Sequence, residues 1–409
     1  MKLTGERLKY DALILFIYLF FLKNIFENKV PGLGYVDELV AVSSILVLVY
    51  KGKFRNNATI WFVLGFLLVG AIGTLIYHIQ PIKAELQDII VCVKMWLSIY
   101  VGSTIFAQFD IAKYAKKIYI HIKILTGIIT IALVLDAIFD LWPVGKRYGL
   151  KVFFLFGANG SVMVSEYLML VLIVLMIAPY VKGIYKELLI LLLVMSLTLR
   201  AKAIGITLVA VYIVYKVIYK KERIRISNLI FIGAFVVLGA SPLIYYYYFG
   251  PLVQESPRAQ LTRVAMQIAD DFFPLGSGYG SFASFFSGVY YSPLYEQYGI
   301  SHVYGMTADN TSYLSDTCWP IIIGQFGWIG TLLFISALIS LAIIVQKKSK
   351  YYFEPGKYAA GWLFLLACLI NSTAEPAFFN SVVVGSSLCF GMAVSASKPK
   401  QDLEISEEI

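Results

Sequence analysis

Long apolar runs recur along almost the whole of this chain, and each approaches the roughly 20 residues that a helix needs to cross a hydrocarbon core. Inside that core every backbone N–H and C=O group must be paired within the protein, which favours helices. We count twelve runs, centred near residues 17, 43, 68, 97, 128, 171, 192, 211, 236, 332, 364 and 386. The chain is therefore predicted to be an all-α polytopic membrane protein with about 12 transmembrane helices.

The composition excludes an ordinary soluble domain. Hydrophobic residues make up 59% of the 409 residues and charged residues only 14%, whereas charged residues form about 25% of a typical soluble domain. The formal net charge is +9. In a membrane protein, the distribution of such a charge along the chain says more than its size.

Lysine and arginine cluster at alternate connections between the apolar runs. The clusters comprise Lys2, Arg7 and Lys9; Lys51, Lys53 and Arg55; Lys113, Lys116 and Lys117; Lys182 and Lys186; Lys220, Lys221, Arg223 and Arg225; Lys347, Lys348 and Lys350; Lys398 and Lys400. Connections rich in Lys and Arg face the cytoplasm. We therefore expect both termini to be cytoplasmic and the other connections to lie outside.

One polar stretch, residues 250–317, interrupts the apolar pattern late in the chain. Ser256 and Pro257 form a helix-start pair there, and apolar residues follow at helical spacing, which predicts an amphipathic helix over 257–273. The expected division is transmembrane helices 1–9 in residues 1–249, an extracytoplasmic loop in 250–317, transmembrane helices 10–12 in 318–396 and a cytoplasmic tail in 397–409.

Five cations lie on the expected outer side or at the outer membrane edge, where few are normally found. They are Arg147, Arg200, Lys202, Arg258 and Arg263. Arg200 and Lys202 matter most, because almost no loop separates the two apolar runs beside them and both charges stand at the membrane boundary. Guanidinium geometry suits phosphate, so this set is a candidate phosphate-binding site. The alternative for Arg200 and Lys202 is that both side chains extend to lipid headgroups.

Three glycines, Gly276, Gly278 and Gly280, alternate with other residues in the polar stretch. Glycine allows positive φ and close backbone approach, so successive N–H groups there could cradle an anion. A tight turn without a ligand accounts for the spacing equally well. No βαβ pattern surrounds the segment, which excludes a dinucleotide-binding fingerprint.

Acid–base chemistry near the outer surface would need a carboxylate or an imidazole. The candidates are His302, Asp309, Asp316, Glu166 and Glu375. For each one taken alone, a solvated surface charge or an interaction with a helix end is the simpler interpretation. A different buried charge, Lys94, lies deep within an apolar run and requires a partner or a water-filled cavity.

Cysteine and histidine usage gives no sign of a metal or cofactor site. The four cysteines lie in or beside apolar runs without ligand spacing, and the chain has only three histidines. The cysteines are Cys92, Cys318, Cys368 and Cys389. We expect buried structural thiols, no metal and no cofactor.

The layout and four short motifs resemble the O-antigen polymerase (Wzy) and O-antigen ligase superfamily of bacterial membrane proteins. The similar layout has many spans, cytoplasmic termini, a short Arg-bearing outer turn and a long outer loop late in the chain. The motifs are Arg147 followed by Asn159-Gly160, the turn Leu197-Thr198-Leu199-Arg200, the glycine-spaced segment 274–280 and the glycine-spaced segment 324–330. The turn departs from the family pattern, since Thr198-Leu199-Arg200 replaces its Ser-Arg.

The resemblance implies a GT-C-like fold and metal-independent, inverting glycosyl transfer on the outer face of a bacterial plasma membrane. The donor would be a growing glycan on undecaprenyl diphosphate, the acceptor the next lipid-linked repeat unit, and the product an O-antigen, capsule or exopolysaccharide. The five cations would then bind the diphosphate leaving group, and a carboxylate or imidazole would deprotonate the acceptor hydroxyl. Expected partners are the lipid-linked oligosaccharides, membrane lipids and a chain-length regulator protein, with no nucleic acid.

Two other functions remain open on the sequence. The ligase branch, which moves a finished glycan to another acceptor, usually has a histidine just before the span that follows the loop. Here Ser315-Asp316-Thr317-Cys318 stands in that place, which favours a polymerase. A flippase for lipid-linked oligosaccharides also suits twelve spans, but transporters of that size often show two repeated halves and short loops, and this sequence shows neither.

Overall fold

The computed structural model describes residues 5–26, 30–40, 42–43, 57–225, 227–228, 233, 238, 241–242, 245–250, 253–351 and 353–396. The structure is 71% helical. In the described part, the only sheet is a hairpin of β1 (Lys146–Arg147) and β2 (Leu150–Lys151). The protein is thus mostly helical with little sheet, as predicted.

The α-helices are α1 (Gly5–Phe26), α2 (Ala58–Tyr77), α3 (Ile82–Ile105), α4 (Ile111–Phe139), α5 (Gly160–Ile177), α6 (Tyr185–Ser196), α7 (Ala201–Ile213), α8 (Pro257–Asp271), α9 (Phe285–Val289), α10 (Leu294–Gln297), α11 (Trp319–Tyr351), α12 (Pro355–Asn371) and α13 (Val383–Ala393). α7 continues as a π-helix over Val214–Tyr219, and 3-10 turns occur at Pro31–Tyr35, Leu155–Gly157 and Ala178–Tyr180.

Six helical segments of the described chain are long and apolar enough to cross a membrane. They are α2, α3, α4, Gly160–Tyr180, Ala201–Tyr219 and Trp319–Lys347. Four helices that are shorter or more charged, α1, α6, α12 and α13, coincide with predicted runs. The runs near residues 43 and 236, and the tail at 397–409, fall largely outside the described residues. The structure is therefore that of a membrane protein, and the count of twelve spans stays a prediction.

α5 is the central helix of the structure. Its sequence is apolar on every side, as expected of a helix with no solvent-facing surface. Five helices contact it: α1, α4, α6, α12 and α13. As a result, 89% of its most apolar stretch is buried. Two further helix pairs pack along each other: α11 with α2, and α13 with α3.

The polar stretch packs onto this framework through α8. The helix predicted over 257–273 occupies Pro257–Asp271, and its apolar face packs against α11. Trp328 of α11 donates a hydrogen bond from Nε1 to Asp270 Oδ1 at 2.7 Å. The polar stretch is thereby fixed to a membrane-spanning helix along the length of α8.

A group of four charges, three of them buried, links α1 to α3. Lys94 of α3 donates to Asp37 Oδ2 at 2.5 Å and to Glu38 Oε1 at 2.7 Å, and Lys23 of α1 donates to Asp37 Oδ1 at 2.7 Å. The partners that the sequence requires for Lys94 are therefore Asp37 and Glu38. Pairing offsets the free-energy cost of burying these charges, and loss of one partner would leave another uncompensated.

The four cysteines are buried and free of disulfides. Burial raises the pKa of the Cys318 thiol, which immediately precedes α11, to about 12. A thiol that stays protonated and buried reacts slowly with electrophiles. The native cysteines should therefore give little background in labelling experiments.

Candidate functional site

The short turn between α6 and α7 places Arg200 at one end of the helix assembly. Residues 197–200 alone join these two helices, and Leu199 adopts a left-handed conformation with a φ of 49°. Arg200 itself is the N-cap residue of α7 and has an extended backbone. Its side chain is directed towards the first turn of α5.

Two neutral side chains at the start of α5 hold the Arg200 guanidinium. Nη1 donates to Ser161 Oγ at 2.8 Å and Nη2 donates to Asn159 Oδ1 at 3.3 Å, while the Phe154 ring centroid lies 5.4 Å away. Burial lowers the pKa of Arg200, and the charge of Arg147 lowers it further, but guanidinium remains protonated in proteins. Its charge is therefore positioned without being neutralised.

Lys202 and Glu375 form a buried ion pair beside Arg200. Lys202 Nζ donates to Glu375 Oε2 in a very short contact and to Ser161 Oγ at 3.1 Å. The two side chains are only 5% and 7% exposed. Because the ammonium is buried and bonded, the alternative in which Lys202 extends to lipid headgroups does not hold.

The polar stretch supplies a second ion pair, between Arg258 and Asp316. Arg258 Nε lies 2.6 Å from Asp316 Oδ2, and the guanidinium lies 4.8 Å from the centroid of the Tyr247 ring. Burial disfavours the charged guanidinium, but the hydrogen bond and charge of Asp316 outweigh burial and raise the pKa of Arg258. This pair explains how a cation is tolerated in the first turn of α8, where the helix dipole disfavours it.

Six charged residues from four connections thus interact at this end of the molecule. Arg147, Arg258, Asp316 and Glu375 all act electrostatically on Arg200, and Asp316 also acts on Lys202. We call Arg147, Arg200, Lys202, Arg258, Asp316 and Glu375 the charge cluster. Four cations and two carboxylates leave two positive charges in excess. The cluster is consequently suited to a dianionic ligand.

Two hydrogen bonds hold the end of the polar stretch against the connection that carries Glu375. Cys318 N donates to Ser372 O at 3.1 Å, and Trp319 Nε1 donates to Ser372 Oγ at 3.2 Å. Asp316 stands two residues before Cys318, and Glu375 stands three residues after Ser372. Both carboxylates of the charge cluster are therefore placed by the same contact between segments.

Four buried polar atoms around the charge cluster have no hydrogen-bond partner among the described residues. They are Arg200 Nε, Ser256 Oγ, Thr317 Oγ1 and Asn371 Oδ1. Thr317 adjoins Asp316, Ser256 stands two residues before Arg258, and Asn371 adjoins Ser372. Since buried polar groups are nearly always hydrogen-bonded, these atoms are available to a polar ligand or to water.

Four residues predicted from the sequence lie apart from the charge cluster. Arg263 is exposed on α8 and donates to Gln260 Oε1 at 2.7 Å. His302 and Asp309 are exposed in the polar stretch, and Glu166 is buried within α5. Arg263 is separated from Arg258 because five residues of a helix turn about 500°, which leaves the two side chains about 140° apart around the axis. Among the described residues no hydrogen bond or ion pair joins Arg263, His302 or Asp309 to the charge cluster, and the roles of these three residues and of Glu166 stay predictions.

The glycine segment corrects a second expectation. Gly276, Gly278 and Gly280 are buried between α2, α3 and α11, and the backbone N–H groups of the segment are already bonded within the chain. Gly278 N donates to Gln325 O at 2.9 Å, and Gly280 N donates to Asp88 Oδ2 at 2.9 Å. These groups offer no cradle to an anion, so the tight turn is the correct interpretation. The segment packs closely against residues of α2, α3 and α11.

Gly160, the first residue of α5, leaves the space that Arg200 occupies. A Cβ at this position would lie 2.5 Å from Arg200 Nε and 2.4 Å from Phe154 Cζ. We therefore expect Gly160→Ala to displace the guanidinium and to weaken binding of inorganic diphosphate by at least about tenfold in calorimetry. Gly127→Ala on α4 is a matched control, since nothing lies within 4 Å of a Cβ there. Equal binding by both variants would show that Arg200 does not contact the anion.

The charge cluster brings four cations and two carboxylates together, with Lys202 paired to Glu375 and Arg258 paired to Asp316. Sequence reasoning identified all six of its residues but not Ser161, the hydroxyl on which Arg200 and Lys202 converge, because an isolated serine at a helix start usually indicates only a cap. No protein-family model matches this chain, and no curated protein matches it.

Proposed function

We propose that this protein is a glycosyltransferase that polymerises oligosaccharide repeat units carried on undecaprenyl diphosphate, at the outer face of a bacterial plasma membrane. The observation that carries this proposal is the charge cluster, with two excess positive charges, at one end of an apolar helix assembly. A diphosphate that joins a sugar to a lipid is a diester with two negative charges. Its charge therefore balances that of the cluster.

The reaction requires stabilisation of a leaving group whose negative charge grows. The acceptor hydroxyl oxygen forms a bond to the anomeric carbon of the donor sugar, and the bond from that carbon to the diphosphate breaks with its electron pair on the diphosphate oxygen. Attack opposite the leaving group inverts the anomeric configuration. In the proposed reaction Arg200, Lys202 and Arg258 would face this additional charge, and positioned cations of this kind contribute strongly to catalysis.

The proposed topology has twelve spans, cytoplasmic termini and the charge cluster outside. In support, the connections that carry the cluster are alternate connections of the chain, and they meet at one end of the molecule. Connections of the other set also meet each other, since Ile224 N donates to Tyr358 Oη at 3.1 Å. The first set would be outside and the Lys-rich second set inside.

Cysteine labelling tests this orientation. Asp309 lies in the polar stretch and Lys116 in the Lys-rich beginning of α4, and both are exposed. We expect a membrane-impermeant maleimide to label the Asp309→Cys variant in intact spheroplasts and the Lys116→Cys variant only after lysis. The native cysteines are buried and should remain unlabelled. Labelling of Lys116→Cys alone in intact spheroplasts would place the charge cluster on the cytoplasmic side and overturn the proposal.

A reconstituted reaction tests the activity itself. Purified protein in lipid is incubated with an undecaprenyl-diphosphate-linked repeat unit isolated from cells that make the protein, and the products are separated on a gel. A ladder of chain lengths supports the polymerase. A product that forms only with a second type of acceptor indicates a ligase, and movement of the lipid-linked sugar across vesicles without any product indicates a flippase.

A further inference from the structure

Arg200 and Lys202 converge on a single neutral oxygen. Ser161 Oγ accepts from Arg200 Nη1 at 2.8 Å and from Lys202 Nζ at 3.1 Å. Two cations so close repel each other, and a hydroxyl dipole offsets this repulsion much less than an anion does. Of the two, Lys202 alone forms an ion pair with a carboxylate, Glu375, in the described part of the chain. The arrangement is therefore one in which an arriving anion competes with Glu375 for Lys202.

Lys202 is able to make that exchange. Its ammonium is a point charge on a flexible four-carbon stem with three donors, and one of its bonds already goes to the oxygen that Arg200 contacts. A small rotation would move it from Glu375 to an anion bound by Arg200. The second ion pair is less suited to release, because Arg258 is additionally held against the Tyr247 ring and Asp316 contacts its Nε.

We propose that Glu375 is the base of the transfer reaction and that Lys202 keeps it inactive until the donor diphosphate binds. This inference rests on the proposed function. A carboxylate in a tight ion pair is a weak base, because its partner favours the charged form. When the diphosphate draws Lys202 away, the nearly buried Glu375 carboxylate loses the ammonium that occupies it and becomes free to accept a hydrogen bond from the acceptor hydroxyl.

The proton and charge balance of the step follows from these positions. The acceptor hydroxyl gives its proton to Glu375 as its oxygen bonds to the anomeric carbon, and the diphosphate leaves with one more negative charge. Lys202 keeps its proton throughout and faces the leaving group together with Arg200. After undecaprenyl diphosphate departs, Lys202 returns to Glu375, and the carboxyl group releases its proton to water. Each cycle therefore activates an acceptor only while a donor is bound.

The test depends on the direction in which the affinity for undecaprenyl diphosphate changes, because a purely structural ion pair predicts the opposite direction. If Glu375 competes with the diphosphate for Lys202, Glu375→Gln should bind undecaprenyl diphosphate about tenfold more tightly than the native protein and should lose chain extension. If Glu375 merely holds Lys202 in place, the same variant should bind more weakly. Binding is measured by calorimetry in detergent, and chain extension is measured in the gel assay.

One more variant of Glu375 and a binding control with Arg200→Ala separate failure of this inference from failure of the proposed function. Glu375→Asp retains a carboxylate on a shorter side chain, so we expect native-like diphosphate binding with reduced but measurable extension, and this variant replaces Glu375→Gln if that one fails to fold. Unchanged or weaker binding by Glu375→Gln overturns the inference, as does normal extension by it. Failure of the native protein to bind undecaprenyl diphosphate, or equal binding by Arg200→Ala, instead overturns the proposed function itself.

Discussion

Arg200→Ala should reduce the rate of chain extension by at least about 10²-fold, the scale on which removal of one positioned charge-stabilising donor lowers an enzymatic rate. The guanidinium is held by Ser161 and Asn159, both neutral, so its charge is available to the leaving group. The variant should still reach the membrane, because no ion pair or buried partner charge depends on Arg200 among the described residues. Extension rates are measured in the gel assay.

Arg200→Lys separates charge from geometry. Lysine keeps the positive charge but offers a single donor centre, so it cannot contact Ser161 and Asn159 at the same time as a phosphate oxygen. We expect an intermediate loss for this variant. A rate equal to that of the native protein would mean that charge alone is required there.

Two arginines on α8 form a matched pair for the same assay. Arg258 belongs to the charge cluster, and its removal should also slow extension strongly, since a positioned cation is lost and Asp316 loses its partner. Arg263 is exposed and bonded only to Gln260 in the described structure, so Arg263→Ala should extend chains at the native rate. Normal ladders from Arg200→Ala and Arg258→Ala would contradict the diphosphate role of the cluster.

The architecture was largely predictable because the membrane limits it to few solutions. Hydrocarbon thickness sets the length of an apolar run, and unpaired backbone groups are not tolerated there. The same reasoning identified Lys94 as a charge in need of a partner. It could not name Asp37 and Glu38, which meet Lys94 only when the segment that carries them folds against α3.

The sequence predicts some residues of the charge cluster better than others, because only some of them lie between apolar segments that restrict their position. Arg200 and Lys202 stand out because the turn between two apolar helices leaves them no polar surroundings in the sequence. Arg263 and His302 are candidates only because a cation and an imidazole lie on the expected outer side, in a stretch with no such constraint. Their orientation depends on how α8 packs against α11, which sequence spacing does not determine.

The glycine segment shows why one pattern supports two interpretations. Positive φ and close backbone approach are needed both for an anion cradle and for dense packing between helices. The deciding contacts come from Thr74, Asp88 and Gln325, which are far away in the sequence. Tyr279 N donates to Thr74 Oγ1 at 2.8 Å, for example, and this removes a donor that an anion would need.

Gly278→Ala should therefore damage the fold and not only the site. Gly278 has a φ of +87°, and a Cβ there would lie 2.6 Å from the backbone nitrogen of Thr74 and 2.7 Å from its Cα. Backbone atoms cannot rotate out of the way. The left-handed conformation costs alanine about 1–2 kcal/mol and overpacking costs about 1–3 kcal/mol, so we expect a stability loss of about 3 kcal/mol.

Gly299→Ala isolates the effect of the contact, because Gly299 also has a positive φ, +66°, but nothing lies within 4 Å of its Cβ position. That variant should lose only the conformational component, about 1–2 kcal/mol. The free energy of unfolding is measured in mixed detergent micelles for both variants. A larger loss for Gly278→Ala means that the segment is a close-packed joint between α2, α3 and α11. Equal losses would instead mean that Thr74 yields to the added methyl group, and the segment would then have the freedom that an anion-binding loop requires.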